Sequence, residues 1–451
     1  MWFAAAVGFG VTLAVFWPGY MSFDTAVQWW QARHGEYTNI HPPLMAMGWS
    51  LSEKLWPGPG PLFALFALLH WSAFALLIQP LAAPAWGRVL LIWIAGFWPP
   101  LFALLAHVWK DVAVMTLFGI AVALLALDLR RPQRHWRWLA LLALLLGCSM
   151  RHNAATALLP LLIWMAWETR VVIARRPFVS SMGLGLAGSV LMVMLAQLPD
   201  RLPSVERFPA WPAIAAWDIA AVSIAQQRLL LPPSLMAPGG TLPRLAQHYT
   251  PATNVPTFTQ GGVKTHFLVP YTDAEYRNLR ATWLSLPWRY SMPYVEHRAA
   301  VAERLFRWRS DRLSDDLVLM PGVVAYRDNP RLSPRTDRLN ASIQHALRKL
   351  VHTPLFSGWI YLLLALAATI VGMRRSDARG RLAAATAASG LCYALPLLIA
   401  AGSAEFRYLS WLLVATVSSL LLLVPARPPQ LRAIRDHVGS SSSTLLIGSS
   451  A

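Results

Sequence analysis

The feature that most constrains this fold is the recurrence of apolar stretches long enough to cross a membrane. A spanning helix needs about 20 consecutive, mostly apolar residues. Such stretches lie at 2–18, 61–79, 89–106, 112–128, 138–150, 154–168, 180–198, 355–372, 383–401 and 409–425. Charged residues make up only 13% of the chain, about half of what a soluble domain carries. The sequence therefore predicts an all-α polytopic membrane protein with about ten transmembrane helices.

A signal peptide is the alternative interpretation of the start of the chain. Residues 2–17 are apolar, but they lack a basic region before them and a small-residue cleavage site. Because further long apolar stretches follow, we expect residues 2–18 to form the first span, with the true start of the protein upstream.

Basic residues between the apolar stretches predict the orientation in the membrane. Loops rich in lysine and arginine stay in the cytoplasm, and basic clusters lie at 130–137, 170–176, 374–381 and 427–435. The stretches 138–150 and 154–168 are short enough to form one broken helix, but the clusters on both sides require the chain to leave and return between them. The net charge of +18 then reflects topology and attraction to anionic lipid, not nucleic-acid binding.

This topology predicts four regions. They are an N-terminal transmembrane module (1–199) with a periplasmic loop at 19–60, a mainly helical periplasmic domain (200–352), C-terminal transmembrane helices (353–426) and a cytoplasmic tail (427–451). Within the first loop, we expect one helix from Asp24 to Arg33 and another after Pro43. Within the periplasmic domain, we expect helices at 272–286 and 293–313 and an irregular segment, rich in Pro, Gly and Thr, at 231–262.

Carboxylates outside the periplasmic domain mark a candidate site. Of the 21 acidic residues, 12 lie in 200–352, and three of the others, Asp24, Asp111 and Glu405, fall at the periplasmic ends of spans. Basic and polar residues at the same level are His41, Lys110, Arg151, His152, Asn153 and Arg407. Ionisable groups at such depths are functional candidates. Arginine binds phosphate in bidentate fashion, and a carboxylate can accept a proton from a hydroxyl. The pattern therefore indicates an anionic substrate arriving from the bilayer.

Each of these residues also has a purely structural interpretation. Lys110 and Asp111 could form a simple interfacial ion pair, and Arg151 could extend to the membrane surface or cap a helix end. Asp24 could N-cap the loop helix, and His41 could be a turn residue beside two prolines. The collection points to function more strongly than any one member.

Several well-known motifs are absent from the sequence. It has no Walker-type GxxxxGK[ST], no HExxH, no Cys/His zinc pattern and no GxSxG, which argues against an ATP-driven pump, a metalloprotease and a serine hydrolase of that type. Cys148 and Cys392 both fall within apolar runs, so we expect two core residues, not a disulfide.

The motifs around the candidate site resemble those of the GT-C glycosyltransferases. The residues that carry the resemblance are PGYMSFDTAVQWWQA (18–32), NIHPPL (39–44), VWKDV (108–112), SMRHNA (149–154) and EFRY (405–408). More narrowly, they look like bacterial membrane proteins of the dolichyl-phosphate-mannose–protein mannosyltransferase type. The similarity covers the first six spans well, and the last span and the periplasmic domain loosely.

The resemblance implies a function and roles for individual residues. Asp24 matches the catalytic base or acceptor-site carboxylate, Asp111 would hold substrate or a metal, and Arg151 would contact the donor phosphate. Transfer with inversion would move a sugar from undecaprenyl phosphate to a glycan, lipid or protein acceptor at the periplasmic face of a bacterial inner membrane. Asp24 is followed by Thr25 where several branches carry a second acidic residue. A divalent cation, held by Asp24 and Asp111 if any, is therefore an open requirement.

Two other functions remain open at this stage. A transporter or flippase of lipid-linked saccharides would use the same basic residues without a base, but such proteins often show internal repeats and helices broken near the midplane. The chain shows no repeat, and its polar residues lie at span ends. A non-catalytic envelope scaffold would not need these residues at one depth. The enzyme hypothesis requires Asp24, Asp111 and Arg151 to converge in the fold.

Overall fold

The computed structural model describes residues 1–169, 177–267, 270–309 and 318–427. Three predicted features lie outside these residues: the basic cluster at 170–176, the end of the predicted helix 293–313, and the tail after residue 427. Within the described residues, five helices are long and apolar enough to cross a membrane, or six if one bent pair counts as a single span. The protein is therefore a helical, membrane-embedded protein. The number of ten spans stays a prediction.

The N-terminal half alternates in direction between the two ends of a helical bundle. The first loop carries α2 and α3, and the bundle helices are α1 and α4–α10. Their bounds are α1 Trp2–Phe16, α2 Phe23–His34, α3 Leu44–Leu55, α4 Gly60–Ile78, α5 Ala85–Gly96, α6 Pro99–Leu105, α7 Lys110–Asp128, α8 Arg134–Met150, α9 Ala155–Glu168 and α10 Pro177–Ala196. Helices α2 and α3 match the two helices expected in the first loop.

The second half contains a helical segment at 200–352 and then three more apolar segments. The bounds are α11 Trp211–Ala225, α12 Leu242–His248, α13 Val255–Thr259, α14 Asp273–Arg289, α15 Ser291–Phe306, α16 Arg338–Val351, α17 Gly358–Arg374, α18 Ala378–Ala394, α19 Leu397–Ala400 and α20 Ser410–Leu423. Helix α15 ends earlier than expected, because Arg307 takes up a left-handed conformation with φ 55°.

We call the end of the bundle that carries residues 17–59 and 197–357 the loop face. Two short parallel strands, β1 Tyr37–Thr38 and β2 Val205–Glu206, join the first loop to the segment after α10. Residues 211–294 have an apolar core of their own, whereas α16 and the second half of α15 pack into the main core of the bundle. The first loop and both parts of 200–352 thus meet at the loop face.

One predicted span is broken. The apolar stretch 89–106 predicts a single helix, but α5 and α6 meet at an angle of 60°. Pro99 and Pro100 follow the break, and proline has no N–H to continue the hydrogen-bond ladder. Trp98 lies at the bend, as the N-cap residue of α6, and its Nε1 donates a hydrogen bond to the Tyr361 hydroxyl of α17 (2.7 Å). The break therefore has a local cause and a packing partner.

The helices pack through small residues and a few buried polar contacts. The ring of Trp71 lies against both Gly8 and Gly96, where an added Cβ would lie 2.4 Å and 2.2 Å from it. Its Nε1 donates to the Thr12 hydroxyl (2.9 Å). Close approach at small residues and interhelical hydrogen bonds are what holds helices together in lipid, where apolar contact alone gives little preference for protein over acyl chains.

Candidate functional site

Hydrogen bonds join the start of α2 to the segment that precedes α7, and this brings Asp24 and its neighbours beside the VWKDV motif (108–112). Backbone hydrogen bonds join Tyr20 to the segment 106–108 (2.8 and 3.0 Å). The Thr25 hydroxyl donates to the Val108 carbonyl (3.0 Å), and Trp109 Nε1 donates to Ser22 Oγ (3.0 Å). Because Asp24 lies between these anchors, its carboxylate is held next to the first turn of α7.

Arg407 connects the carboxylates of the site. Its Nη2 lies 2.7 Å from Asp24 Oδ2, and its Nη1 lies 4.0 Å from Asp111 Oδ2. It also pairs with Glu405, and its guanidinium lies over the ring of Trp109, 5.0 Å from the centroid. The side chain of Arg407 is only 6% exposed, whereas that of Asp24 is 31% exposed. Asp24 is therefore the more accessible partner.

A second cation holds Asp111 from the other side. Arg151, at the turn between α8 and α9, pairs with the fully buried Asp111 carboxylate. Its guanidinium carbon lies 4.1 Å from the centroid of the Tyr408 ring. Arg151 is therefore held by Asp111 and Tyr408. Extension to the membrane surface or capping of a helix end does not account for these contacts.

His41 links Lys110 to Asp24. Lys110 Nζ lies 2.6 Å from His41 Nδ1, and His41 Nε2 lies 3.6 Å from Asp24 Oδ1. Lys110 and Asp111 therefore have separate partners and do not form the simple ion pair considered above. Asp24 is not the N-cap of α2 either, because Ser22 occupies that position. Asp24 lies in the first turn of α2, where the helix dipole favours negative charge.

These contacts set the protonation of the two loop residues. Burial alone would raise the pKa of Asp24, but the nearby charges of Arg407 and Lys110 outweigh it and hold the pKa well below its usual range. Burial, together with the charge of Lys110, lowers the pKa of His41 to about 3. At neutral pH, Asp24 is therefore ionised and His41 is neutral. This assigns Nδ1 of His41 as the acceptor from Lys110 and leaves Nε2–H facing Asp24.

We call the seven residues of this cluster the ion network: Asp24, His41, Lys110, Asp111, Arg151, Glu405 and Arg407. Three carboxylates and three cations bring its formal charge to zero, with His41 neutral. The members come from the first loop and from the loop-face ends of α7, α8 and α20. Asp24, Asp111 and Arg151 thus converge, as the enzyme hypothesis requires.

Two candidate residues are not drawn into the ion network. The side chain of His152 is 48% exposed, and its Nδ1 lies 3.9 Å from Asp200 Oδ2 in the segment after α10. The side-chain amide of Asn153 makes no hydrogen bond within the described part of the chain. The sequence missed Tyr408 and Trp109, whose rings lie against the arginines, although both are direct neighbours of candidate residues.

A divalent cation does not fit the arrangement of these carboxylates. No group of three or more His, Cys, Asp or Glu side chains among the described residues is placed to hold a metal ion. Arg407 lies between Asp24 and Asp111, so the position that such an ion would share with both carboxylates is taken by a guanidinium. We therefore derive no step through a metal.

A second buried polar cluster lies in the segment 211–298. The Asp218 carboxylate of α11 accepts hydrogen bonds from Trp283 Nε1 (2.7 Å), His297 Nε2 (2.9 Å) and Arg298 Nη2 (2.6 Å). Arg298 Nη1 also donates to the Ala401 carbonyl (2.8 Å). The sequence reasoning passed over Asp218, although a lone carboxylate within the apolar run WPAIAAWDIAAVSIA (211–225) is a usable signal.

Ala252, in the segment between α12 and α13, also anchors the residues that lead to Glu405 and Arg407. The Ala404 N–H donates to the Ala252 carbonyl (2.7 Å), and the Ser403 hydroxyl contacts the same oxygen (3.2 Å). The segment 401–404 is therefore fixed to residues 211–298 directly before it enters the ion network.

Comparison with family models, with curated proteins and with solved structures found no match to this chain.

Proposed function

We propose that the protein is an inverting glycosyltransferase of the GT-C type that uses a sugar linked to undecaprenyl phosphate. The acceptor would be a glycan, lipid or protein at the periplasmic face of a bacterial inner membrane. The observation that carries the proposal is the ion network itself. Separate segments bring carboxylates and arginines together at one end of a membrane-embedded bundle, which is the chemistry needed for a phosphate leaving group and an attacking hydroxyl.

The two arginines are suited to the phosphate of the donor. Arg151 and Arg407 present planar guanidinium groups that bind phosphate through two parallel hydrogen bonds. Both are occupied by carboxylates in the free protein, so a phosphate has to displace one of them. Asp24 is the most readily displaced, because it is more exposed than Asp111.

This exchange gives Asp24 a defined role in the reaction. A phosphate bound by Arg151 and Arg407 together weakens the hold of Arg407 on Asp24, and the pKa of Asp24 rises from its lowered value. The carboxylate then becomes a better base only when donor is present. In the transfer step, the acceptor oxygen attacks the anomeric carbon, its proton passes to Asp24, and the electron pair of the breaking C–O bond leaves on the polyprenyl phosphate.

His41 and the surface beside the site support the same assignment. The Nε2–H of neutral His41 faces Asp24 Oδ1 and can orient the carboxylate after Arg407 has released it. A small pocket next to the site is lined by Pro42, Cys148, Ser149, His152, Val193 and Gln197. It lies against α10, whose outward side chains are largely apolar. A lipid tail could follow this helix while its phosphate reaches the arginines.

One observation favours a second candidate function, a flippase of lipid-linked saccharides. The bend of 60° between α5 and α6 is the kind of broken helix found in transporters. A flippase would use the arginines to hold the phosphate but would have no need for a base.

The test compares sugar transfer in membranes that contain the wild type, Asp24→Asn or Glu36→Gln. Glu36 is a matched control because it is an exposed carboxylate of the same loop. With a panel of labelled undecaprenyl-phosphate sugars, we expect transfer by the wild type and by Glu36→Gln and none by Asp24→Asn. Equal transfer by Asp24→Asn would remove it from catalysis. Translocation of a labelled donor without transfer would support the flippase.

A further inference from the structure

The connection between α14 and α15 carries an apolar surface that nothing in the ion network explains. Leu284 and Trp288 lie four residues apart on α14, and Met292 and Val295 lie three apart on α15. This spacing places each pair on one side of its helix. All four side chains are exposed, Trp288 by 86% and Met292 by 66%. We call these four residues the hairpin tip.

The opposite side of the same hairpin is committed to the interior. Leu279 and Leu286 of α14 are fully buried, and Tyr290 and Tyr294 pack against the core of residues 211–294. His297 and Arg298 bind Asp218. The hairpin tip is therefore not a part of this core that happens to be loosely covered. It is a separate apolar surface that points away from the core.

Helix α15 lies along the loop face of the bundle. Arg298 Nη1 bonds to the Ala401 carbonyl, directly after α19. Phe306 lies against Gly358, the first residue of α17; a Cβ at that glycine would be 3.2 Å from the Phe306 backbone. Because α17 and the α18–α19 pair run in opposite directions, both contacts are at loop-face ends. Phe306 follows Arg298 by eight residues, which corresponds to about 12 Å of helix, so α15 runs from one span end to the next.

The N-terminal part of α15 precedes the contact of Arg298 with the residue after α19. Leu395 and Ile399, at the end of the α18–α19 pair, are exposed apolar side chains. In a membrane-embedded bundle, such side chains face lipid. Met292 lies six residues before Arg298, about 9 Å along α15, so the hairpin tip lies close to the level at which α19 ends.

The charges around the hairpin tip indicate what covers it. Arg277, Arg280 and Arg289 are exposed on the same two helices, whose exposed acidic residues are Asp273 and Glu296. Tryptophan prefers the membrane interface, and a basic rim on an apolar surface favours anionic headgroups. We propose that the hairpin tip inserts into the membrane interface on the loop face and that its arginines bind anionic lipid. This proposal does not depend on the proposed function.

Spin labels on the full-length protein test this directly. In a Cys148→Ser, Cys392→Ser background, single cysteines replace Trp288 or Met292, and Ala274 at the far exposed end of α14 serves as the reference. Each labelled protein is reconstituted in phosphatidylcholine vesicles, with and without phosphatidylglycerol. Accessibility is then measured to oxygen, which concentrates in lipid, and to a water-soluble nickel chelate.

We expect labels at 288 and 292 to be severalfold less accessible to the nickel chelate than the label at 274, and more accessible to oxygen. Phosphatidylglycerol should strengthen this difference, and the double change Arg280→Gln and Arg289→Gln should remove the lipid dependence. Nickel accessibility equal to that at 274 would overturn the proposal. Shielding from both reagents would also overturn it, because protein and not lipid would then cover the hairpin tip.

Discussion

Replacing Arg407 with glutamine removes one of the three cations that offset the three carboxylates of the ion network. Two unit charges about 4 Å apart attract by about 4 kcal/mol at an effective dielectric constant near 20. Arg407 is 6% exposed but Asp24 is 31% exposed, so solvent screens part of this attraction. We therefore expect a coupling free energy of about 2 kcal/mol between Arg407 and Asp24, within the usual range for residues in contact.

A double-mutant cycle measures this coupling. The wild type, Arg407→Gln, Asp24→Asn and the double variant are unfolded with sodium dodecyl sulfate in dodecylmaltoside micelles and followed by far-ultraviolet circular dichroism. The two single changes leave formal charges of −1 and +1, and the double variant returns to zero. The double variant should therefore be more stable than the sum of the two single effects predicts.

The matched control is the pair of Arg375 and Asp377, at the opposite end of the bundle. Its Nε–Oδ1 distance is also 2.7 Å, but the side chains are 34% and 44% exposed. An exposed pair of this kind is worth at most about 1 kcal/mol. If the coupling of Arg407 with Asp24 is no larger than that of the control pair, the ion network does not exist as described.

Three further predictions follow from other parts of the fold. Asp218→Asn should lower the free energy of unfolding by about 3–5 kcal/mol, because it leaves the buried Arg298 without its charge partner. The control is Glu303→Gln, whose partner Arg309 is 74% exposed; it should cost less than about 1 kcal/mol. The pKa of His41 is lowered from 6.5 to about 3 in the folded protein, so the unfolded chain binds more protons between these two pH values. The free energy of unfolding should therefore decrease as the pH is lowered through this window, and His41→Gln should make this decrease smaller. Gly8→Ala should cost about 1–3 kcal/mol by overpacking, whereas Gly10→Ala, which meets nothing within 4 Å, should be neutral or stabilising; detergent unfolding measures all three.

Much of the helical framework could be predicted from apolar run length. The two helices of the first loop followed from polar and proline residues at their ends, and the structure has them at Phe23–His34 and Leu44–Leu55. Run length cannot show bends, however. The α5–α6 break has a local signal in Pro99 and Pro100 that run length ignores, whereas the partner of the bend, Tyr361, lies far away in the chain and could not be predicted.

The candidate site shows a similar division. The position of polar and ionisable residues at span ends identified every member of the ion network. Burial of an ionisable group near lipid costs free energy, so such residues are candidates for a functional site. The pairing could not be predicted, because it depends on which side chain reaches which carboxylate. Neighbours in sequence such as Lys110 and Asp111 have different partners, while Asp24 and Arg407 meet from opposite ends of the chain.

The measurement that tests the central claim most directly separates donor binding from transfer in two variants of the ion network. Binding of a labelled undecaprenyl-phosphate sugar and its single-turnover transfer are measured for Asp24→Asn and Arg151→Met. We predict that Asp24→Asn retains donor binding but loses transfer, and that Arg151→Met loses donor binding. Full transfer by Asp24→Asn, or unchanged donor binding by Arg151→Met, would contradict the assignment of base and phosphate ligand.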